Sequence, residues 1–269
     1  MNGVLAATAD GLVIAKRNLI KIKRVPELLV WILISPIMFV LLFAYVFGSS
    51  IPIAGISYRE FLIGGIFAQT VIFGATYTGA GLAEDMQKGI IDRFRSLPMS
   101  RSAVLVGRTS SDIAYNVLSL AIMAATGLLV GWRIHTSVWE ALAGFVLLLL
   151  FAYAFSWVMA CVGLLVPSPE VVNNASFMVI FPVTFISNAF VPLENLPGPL
   201  RAFAEWNPVS AVTQAARELF GNVNPLATAV QPEVWSLQNP ILYTLIWVTV
   251  IVVVFLPLSV SLYKRAAHK

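Results

Sequence analysis

Residues 141–166 read ALAGFVLLLLFAYAFSWVMACVGLLV, a stretch without one charged side chain. A helix needs about 20 largely apolar residues to cross the hydrocarbon core of a bilayer, so this stretch is long enough to span a membrane. Outward from it in both directions, further stretches meet the same criterion without Asp, Glu, Lys or Arg: 28–48, 61–83, 113–132, 171–191 and 241–263. The sequence therefore predicts an all-α integral membrane protein with six transmembrane helices.

The composition of the 269 residues agrees with this prediction. Hydrophobic residues make up 59% of the chain and charged residues 11%, against about 25% charged residues in an ordinary soluble domain. Mean hydropathy is +0.86, more apolar surface than one soluble core can bury. The apolar runs are continuous rather than alternating, which disfavours an outer-membrane barrel. One Cys and two His exclude a disulfide framework and a Cys-rich zinc site.

Lysine and arginine indicate the orientation, because cytoplasmic loops are enriched in both. Thirteen of the 17 lie before the first predicted span, between the second and third, or after the sixth. The other four are Arg59, Arg133, Arg201 and Arg217. This split predicts a multi-pass protein of the plasma membrane with both termini in the cytoplasm. It also assigns the basic charge to the membrane surface, so no nucleic-acid partner is expected.

Two segments outside the spans have amphipathic patterns. Residues 1–27 place Leu5, Ala9 and Leu12 on one helical face, which predicts an interfacial helix; a disordered basic tail is the alternative. Residues 192–240 contain prolines that forbid one continuous span. They fit two short helices, near 196–205 and 208–220, which form a cap partly sunk into the outer leaflet. A wandering outer loop is the alternative.

The segment 84–108 is the most informative part of the sequence. Ile90, Ile91, Phe94 and Leu97 share one face of two helical turns, and Pro98 disfavours continuing that helix. So short a helix cannot bury its own apolar face, and it needs a membrane surface or the groove of another protein. An ordinary charged loop is the alternative.

The chemistry of enzymes and of ATP binding has no sequence signature here. The 269 residues contain no GxxxxGK[ST] phosphate-binding loop, no HExxH and no GxSxG, and Cys161 lies among apolar residues. The predicted spans lack ionisable side chains, which counts against ion-coupled transport. We therefore expect no catalytic, cofactor or metal site in this chain, and any driving energy has to come from a partner at the cytoplasmic face.

Three stretches give the chain a family resemblance. They are IKRVPEL (22–28) running into ISPIMFVLLF (34–43), then GIIDRFRSLPMSR (89–101) with Gly107-Arg108, and finally 190–192, 196–197, 207–209 and 216–219. The chain resembles the type-2 ATP-binding-cassette (ABC) exporter permeases, in particular the daunorubicin-resistance-like membrane subunits of actinobacteria. The second stretch is the most specific.

This resemblance implies a single permease domain over 1–269, with six spans and no ATPase domain. An elbow helix would occupy 1–27, a coupling segment 84–108, a smaller cytoplasmic contact the region near 167–174, and a re-entrant helical hairpin 192–240. A second permease copy or a paralogue would pair with it. Separate ATPase subunits, which carry ATP and Mg, would grip the coupling residues Glu84, Asp85, Ile90, Ile91, Arg93, Phe94, Arg95, Leu97 and Arg101.

The second and fifth spans are expected to line the substrate path in this family. The residues that would do so here are Phe67, Gln69, Thr70, Phe73, Tyr77, Phe177, Phe181, Thr184 and Asn188. Aromatic surface with a few hydrogen-bonding groups suits drugs, antibiotics or lipids that are hydrophobic or amphipathic. The same aromatics can instead pack between helices or face lipid. The alternatives for the protein are a polysaccharide or glycolipid exporter, and a membrane scaffold or enzyme that uses no ATPase.

Overall fold

The computed structural model describes residues 34, 37–47, 55–90, 103–166, 168–223 and 234–266, and these are helical without a β-strand. A short π-helix lies at Phe43–Phe47 and a 3₁₀ turn at Leu193–Asn195. The α-helices are Tyr58–Gly74 (α1), Thr76–Gln87 (α2), Ala103–Val130 (α3), Val138–Leu165 (α4), Pro169–Phe185 (α5), Gly198–Trp206 (α6), Pro208–Phe220 (α7), Trp235–Gln238 (α8) and Pro240–Ala266 (α9).

Four helices in the described residues are long and apolar enough to cross a membrane: Tyr58–Gln87, Leu105–Val130, Val138–Leu165 and Pro240–Arg265. They contain the predicted spans 61–83 and 241–263, and they cover the predicted spans 113–132 and 141–166 as far as Val130 and Leu165. The predicted span 171–191 corresponds to the 17-residue α5, which ends at Phe185. Of the predicted span 28–48 the structure describes 34 and 37–47, with an apolar helix at Ile37–Val46. The predicted elbow helix, 1–27, lies outside the described residues.

Local chemistry explains where the helices begin. Ser57 and Glu60 form a capping box at α1, and Ser137 and Glu140 form another at α4. Ser168 caps α5, and Pro169 follows it at the first helical position, where its missing N–H has no helical acceptor anyway.

Helix α3 begins ten residues before the predicted start at 113. After an apolar first turn it has a polar stretch from Arg108 to Asp112, and these two residues lie one turn apart, with 3.7 Å between Nε and Oδ2. Opposite charges at this spacing stabilise a helix, so the helix continues beyond the apolar stretch. The charge-free span expected from the sequence therefore belongs to a longer helix with two charged residues near its end.

Small residues let the helices around α1 and α2 approach closely. A Cβ atom on Gly163 of α4 would lie 2.2 Å from the carbonyl oxygen of Gly79 in α2, so the two backbones touch at this crossing. Elsewhere in the core, the buried ring of Phe67 contacts the rings of Trp132, Phe145 and Phe220 at centroid distances of 5.4, 5.7 and 5.8 Å. These rings join α1, α4 and α7 in the main apolar core.

Candidate functional site

The predicted coupling segment, 84–108, begins in the last turn of α2 and ends in α3. Gly89 has a φ of +64°, a left-handed conformation that ends the helix at little steric cost. Glu84 accepts a 2.5 Å hydrogen bond from Lys88, Asp85 is buried, and Ile90 is half-buried. The other predicted coupling residues, Ile91, Arg93, Phe94, Arg95, Leu97 and Arg101, lie outside the described residues.

A buried polar cluster joins α2 and α3, the two helices that flank the predicted coupling residues. The hydroxyl of Thr78 on α2 donates to Oδ2 of Asp112 on α3. Nη2 of Arg108 donates to the carbonyl oxygen of Tyr77 at 2.7 Å, and its Nε lies 3.7 Å from Asp112 Oδ2. Asp112 is only 7% exposed. We call Thr78, Arg108 and Asp112 the Asp112 cluster.

Two glycines of the first long span bring the helices together at this cluster. A Cβ on Gly81 would lie 1.9 Å from Nη2 of Arg108, and one on Gly74 would lie 2.4 Å from Oδ1 of Asn116. Gly74, Thr78 and Gly81 follow helical spacing on one face, and they meet Asn116, Asp112 and Arg108 in antiparallel order. The guanidinium of Arg108 therefore occupies the space that a side chain larger than that of glycine would fill at position 81.

Three of the predicted path residues come together on one aromatic surface. The ring of Phe73 on α1 lies 5.1 Å from that of Phe177 and 6.4 Å from that of Phe181, both on α5. Phe181 stacks on Phe185 at 4.3 Å, and Phe185 stacks on Phe190 at 4.9 Å. Phe177 is 53% exposed and Phe181 44%. We call these five phenylalanines the aromatic row.

The other predicted path residues lie elsewhere. Phe67 belongs to the core, and Gln69 and Thr184 are buried, with the Thr184 hydroxyl donating to the Ile180 carbonyl of its own helix at 2.9 Å. Thr70 is half-buried. Tyr77 is exposed, and its ring lies 4.8 Å from that of Tyr115, beside the Asp112 cluster rather than the aromatic row.

Asn188 is buried where the turn after α5 meets α7. Its backbone N–H donates to Ser210 Oγ at 3.2 Å, and its Nδ2 lies 3.5 Å from Gln214 Oε1. Its carbonyl oxygen accepts a 2.8 Å hydrogen bond from Nη2 of Arg217. Asn188 thus takes part in the contact between the end of α5 and α7.

Arg217 fixes α7 to α1. Its Nε donates to the Phe61 carbonyl at 2.8 Å, Nη2 also reaches the Ala189 carbonyl at 3.1 Å, and the guanidinium lies 3.6 Å from the Phe61 ring centroid. Burial lowers the pKa of Arg217 to about 9, so the group stays charged at neutral pH. Carbonyl dipoles and the ring face stabilise that charge.

Sequence reasoning missed Asp112, Arg108 and Arg217 as organising residues. The signal for the first two was present in the spacing: Arg108, Asp112 and Asn116 repeat every four residues at the start of an apolar run. Arg217 gave no such signal, because its partners are backbone carbonyls far away in sequence. Within the described ranges, no group of three His, Cys, Asp or Glu side chains could hold a metal ion.

Comparison with known proteins agrees with this architecture. The family model described as ABC-2 type transporter matches residues 11–220. The daunorubicin resistance ABC transporter permease protein DrrB1 of Streptomyces coeruleorubidus is 34% identical over 203 residues, 76% of this chain and 72% of that protein. The probable doxorubicin resistance permease DrrC of Mycobacterium tuberculosis is 24% identical over 197 residues, 73% of this chain and 66% of that protein. The inner membrane transport permease YadH of Escherichia coli K12 is 22% identical over 222 residues, 77% of this chain and 83% of that protein.

The family match, residues 11–220, includes in full all three stretches that carry the sequence resemblance, and the relatives match about three quarters of the chain. The relatives are permeases, which are transport components rather than catalytic enzymes, and the apolar helices agree with a multi-pass membrane protein. The chain belongs to the ABC-2 type transporter family.

Proposed function

We propose that this chain is the membrane subunit of an ATP-driven exporter, which moves hydrophobic or amphipathic small molecules outward across the plasma membrane. A separate ATP-binding subunit, which holds ATP and Mg, supplies the energy through residues 84–108. A second copy or a paralogue completes the path. The observation that carries the proposal is the aromatic row of Phe73, Phe177, Phe181, Phe185 and Phe190.

The aromatic row fits this kind of cargo by its exposure and its position. Phe177, Phe181 and Phe185 lie on one side of α5 and leave part of each ring uncovered. Ring faces bind planar, apolar or cationic molecules without demanding one hydrogen-bond pattern. The names of two relatives, a daunorubicin resistance permease and a probable doxorubicin resistance permease, point to the same class of molecule.

Co-purification and vesicle transport test the proposal. The full chain, expressed in its native host, should co-purify with an ATP-binding protein in equal amounts. In inverted vesicles that complex should accumulate daunorubicin, or a fluorescent phospholipid analogue, only when ATP and Mg are present. A complex that moves a lipid-linked glycan and neither of these probes would favour the glycan exporter. A chain without any ATP-binding partner would favour the scaffold or enzyme.

The aromatic row has its own matched control. Phe177→Ala and Phe181→Ala should each raise the KM for daunorubicin transport about 3–10-fold, because each removes one ring contact worth about 0.5–1.5 kcal/mol. Met178→Ala removes a side chain of the same helix that is 81% exposed, and it should leave the KM unchanged. Equal effects of all three variants would contradict a specific role for the row.

A further inference from the structure

We propose that Asp112 is a positioning residue that clamps α2 to α3 at the base of the coupling segment, so that both helices respond together when that segment moves. The inference rests on the proposed function, because it concerns how movement of residues 84–108 reaches the membrane helices. It assigns a role in coupling to Asp112, a residue outside the predicted coupling segment.

The contacts of the Asp112 cluster run between two helices, not along one. Thr78 donates to the carboxylate of Asp112, and Arg108 donates to the Tyr77 carbonyl at 2.7 Å. Helix α2 ends at Gln87 and α3 begins at Ala103, so Thr78 and Asp112 join the two helices about 2.5 turns from the ends that the intervening segment connects. A force on that segment reaches both helices at a point where they are already joined.

The burial of Asp112 argues against a purely structural role. Charged groups inside a membrane helix are costly, and they are found where they pair and where they serve function. Apolar residues of similar volume hold two helices together at least as well as a buried ion pair does. A hydrogen-bonded charge adds one defined position of α2 relative to α3, because Thr78 and Arg108 reach the Asp112 carboxylate together only in that arrangement.

Helices α1 and α2 both pack against α3 and α4, but their polar anchors differ. Helix α1 is fixed to the outer hairpin, through Arg217 at the Phe61 carbonyl and through the ring of Phe67. Helix α2 is fixed to α3 through Thr78, and it meets α4 at the Gly79–Gly163 crossing. The Asp112 cluster therefore anchors the half of the span nearer to residues 84–108, and Arg217 anchors the other half.

Thr78→Val tests the clamp without a change in size. The variant should assemble with the ATP-binding subunit, keep its thermal stability and hydrolyse ATP, but move at least 5-fold less daunorubicin per ATP. Thr78→Ser restores the hydroxyl and should restore that ratio. Thr109→Val and Thr126→Val are matched controls, because both hydroxyls donate to carbonyls of their own helix. A wild-type ratio in Thr78→Val, or an equal loss in the controls, overturns the proposal.

A distance measurement separates this inference from the proposed function. Spin labels at Gln87 on α2 and Ala114 on α3, with Cys161 replaced by Ala, should give one narrow distance distribution in the full chain. Thr78→Val should broaden it and Thr109→Val should not, whether or not the protein transports anything. Unchanged width in Thr78→Val overturns the clamp. Failure of the wild-type chain to bind an ATPase overturns the proposed function and leaves the distance result in force.

Discussion

Asn207 joins two helices through one side chain. Its Oδ1 accepts from the Val209 N–H and caps α7, while its Nδ2 donates to the carbonyls of Val183 and Ile186 at 2.7 and 2.8 Å. Those carbonyls belong to the end of α5, where the helix no longer supplies its own donors. One amide thus sets both the end of α5 and the entry angle of the hairpin.

Substitution of Asn207 should separate the two roles. Asn207→Ser keeps the cap and loses the donors to α5, so we expect a loss of about 1–2 kcal/mol in stability. Asn207→Ala loses both, and should cost about 2–4 kcal/mol. Thermal unfolding in detergent measures this, with the exposed Asn195→Ala as the control. Equal stability of Asn207→Ser and wild type would show that the α5 contacts contribute nothing.

Single residues also show where sequence reasoning stops. Asp112 lies one residue before the predicted span at 113, because an apolar window ends wherever a charge appears. The helix does not end there, since Arg108 and Thr78 satisfy the carboxylate. Pairing of this kind depends on a neighbouring helix, and hydropathy does not contain that information.

At the scale of helices, apolar periodicity predicted most elements well and their ends less well. Helices α6 and α7 lie close to the predicted 196–205 and 208–220, because Pro208 and the capping Asn207 are local signals. Helix α5 stops at Phe185, six residues before the predicted end, because Asn207 caps it from a distance. The shared face of Phe177 and Phe181 follows from the spacing along α5, whereas Phe185 and Phe190 were not predicted as part of the row. The placement of Phe67 in the core does not follow from spacing, because its partners come from other elements.

The crossing of α2 and α4 depends on glycine. In Gly163→Ala, the new methyl group would lie 2.2 Å from the Gly79 carbonyl oxygen, which is backbone and has no rotamer to change. The helices must separate, and we expect a loss of about 1–3 kcal/mol in thermal unfolding experiments. Gly198→Ala is the control, since nothing lies within 4 Å of its added Cβ. A Gly163→Ala protein as stable as the control would contradict the close crossing.

The coupling segment carries its own test. Phe94 and Leu97 share the apolar face predicted for 84–108. The double variant Phe94→Ala, Leu97→Ala should insert normally, because it leaves every apolar span intact. It should release the ATP-binding subunit or make its ATP hydrolysis independent of cargo. Arg133→Ala, at the opposite end of the helices, should do neither. Normal recovery of the complex with cargo-stimulated hydrolysis would contradict docking through this face.

For the whole molecule, the structure sorts the described basic residues into two ends. Tyr263 packs with Leu82 and Leu105, so Lys264 and Arg265 lie at the same end as the exits of the coupling segment. At the other end, Arg59 donates to the Val130 carbonyl at 3.1 Å, and His135 lies 2.7 Å from Glu60. The charge count along the sequence predicts this grouping, because it needs only the order of the spans.

Cysteine labelling tests which of these ends faces the cytoplasm. With Cys161 replaced by Ala, a membrane-impermeant maleimide added to intact cells should modify Ser137→Cys and Asn195→Cys, which are exposed at the end with few basic residues. It should modify Gln87→Cys and Ala267→Cys only after permeabilisation, since the basic segments stay inside. Asn222 is unsuitable as a reporter, because its side chain is buried against Trp132 Nε1 at 2.5 Å. Rapid labelling of Gln87→Cys in intact cells, with Ser137→Cys protected, would invert the orientation. Labelling of both Gln87→Cys and Ser137→Cys would instead contradict an outer and an inner end for the span formed by α1 and α2.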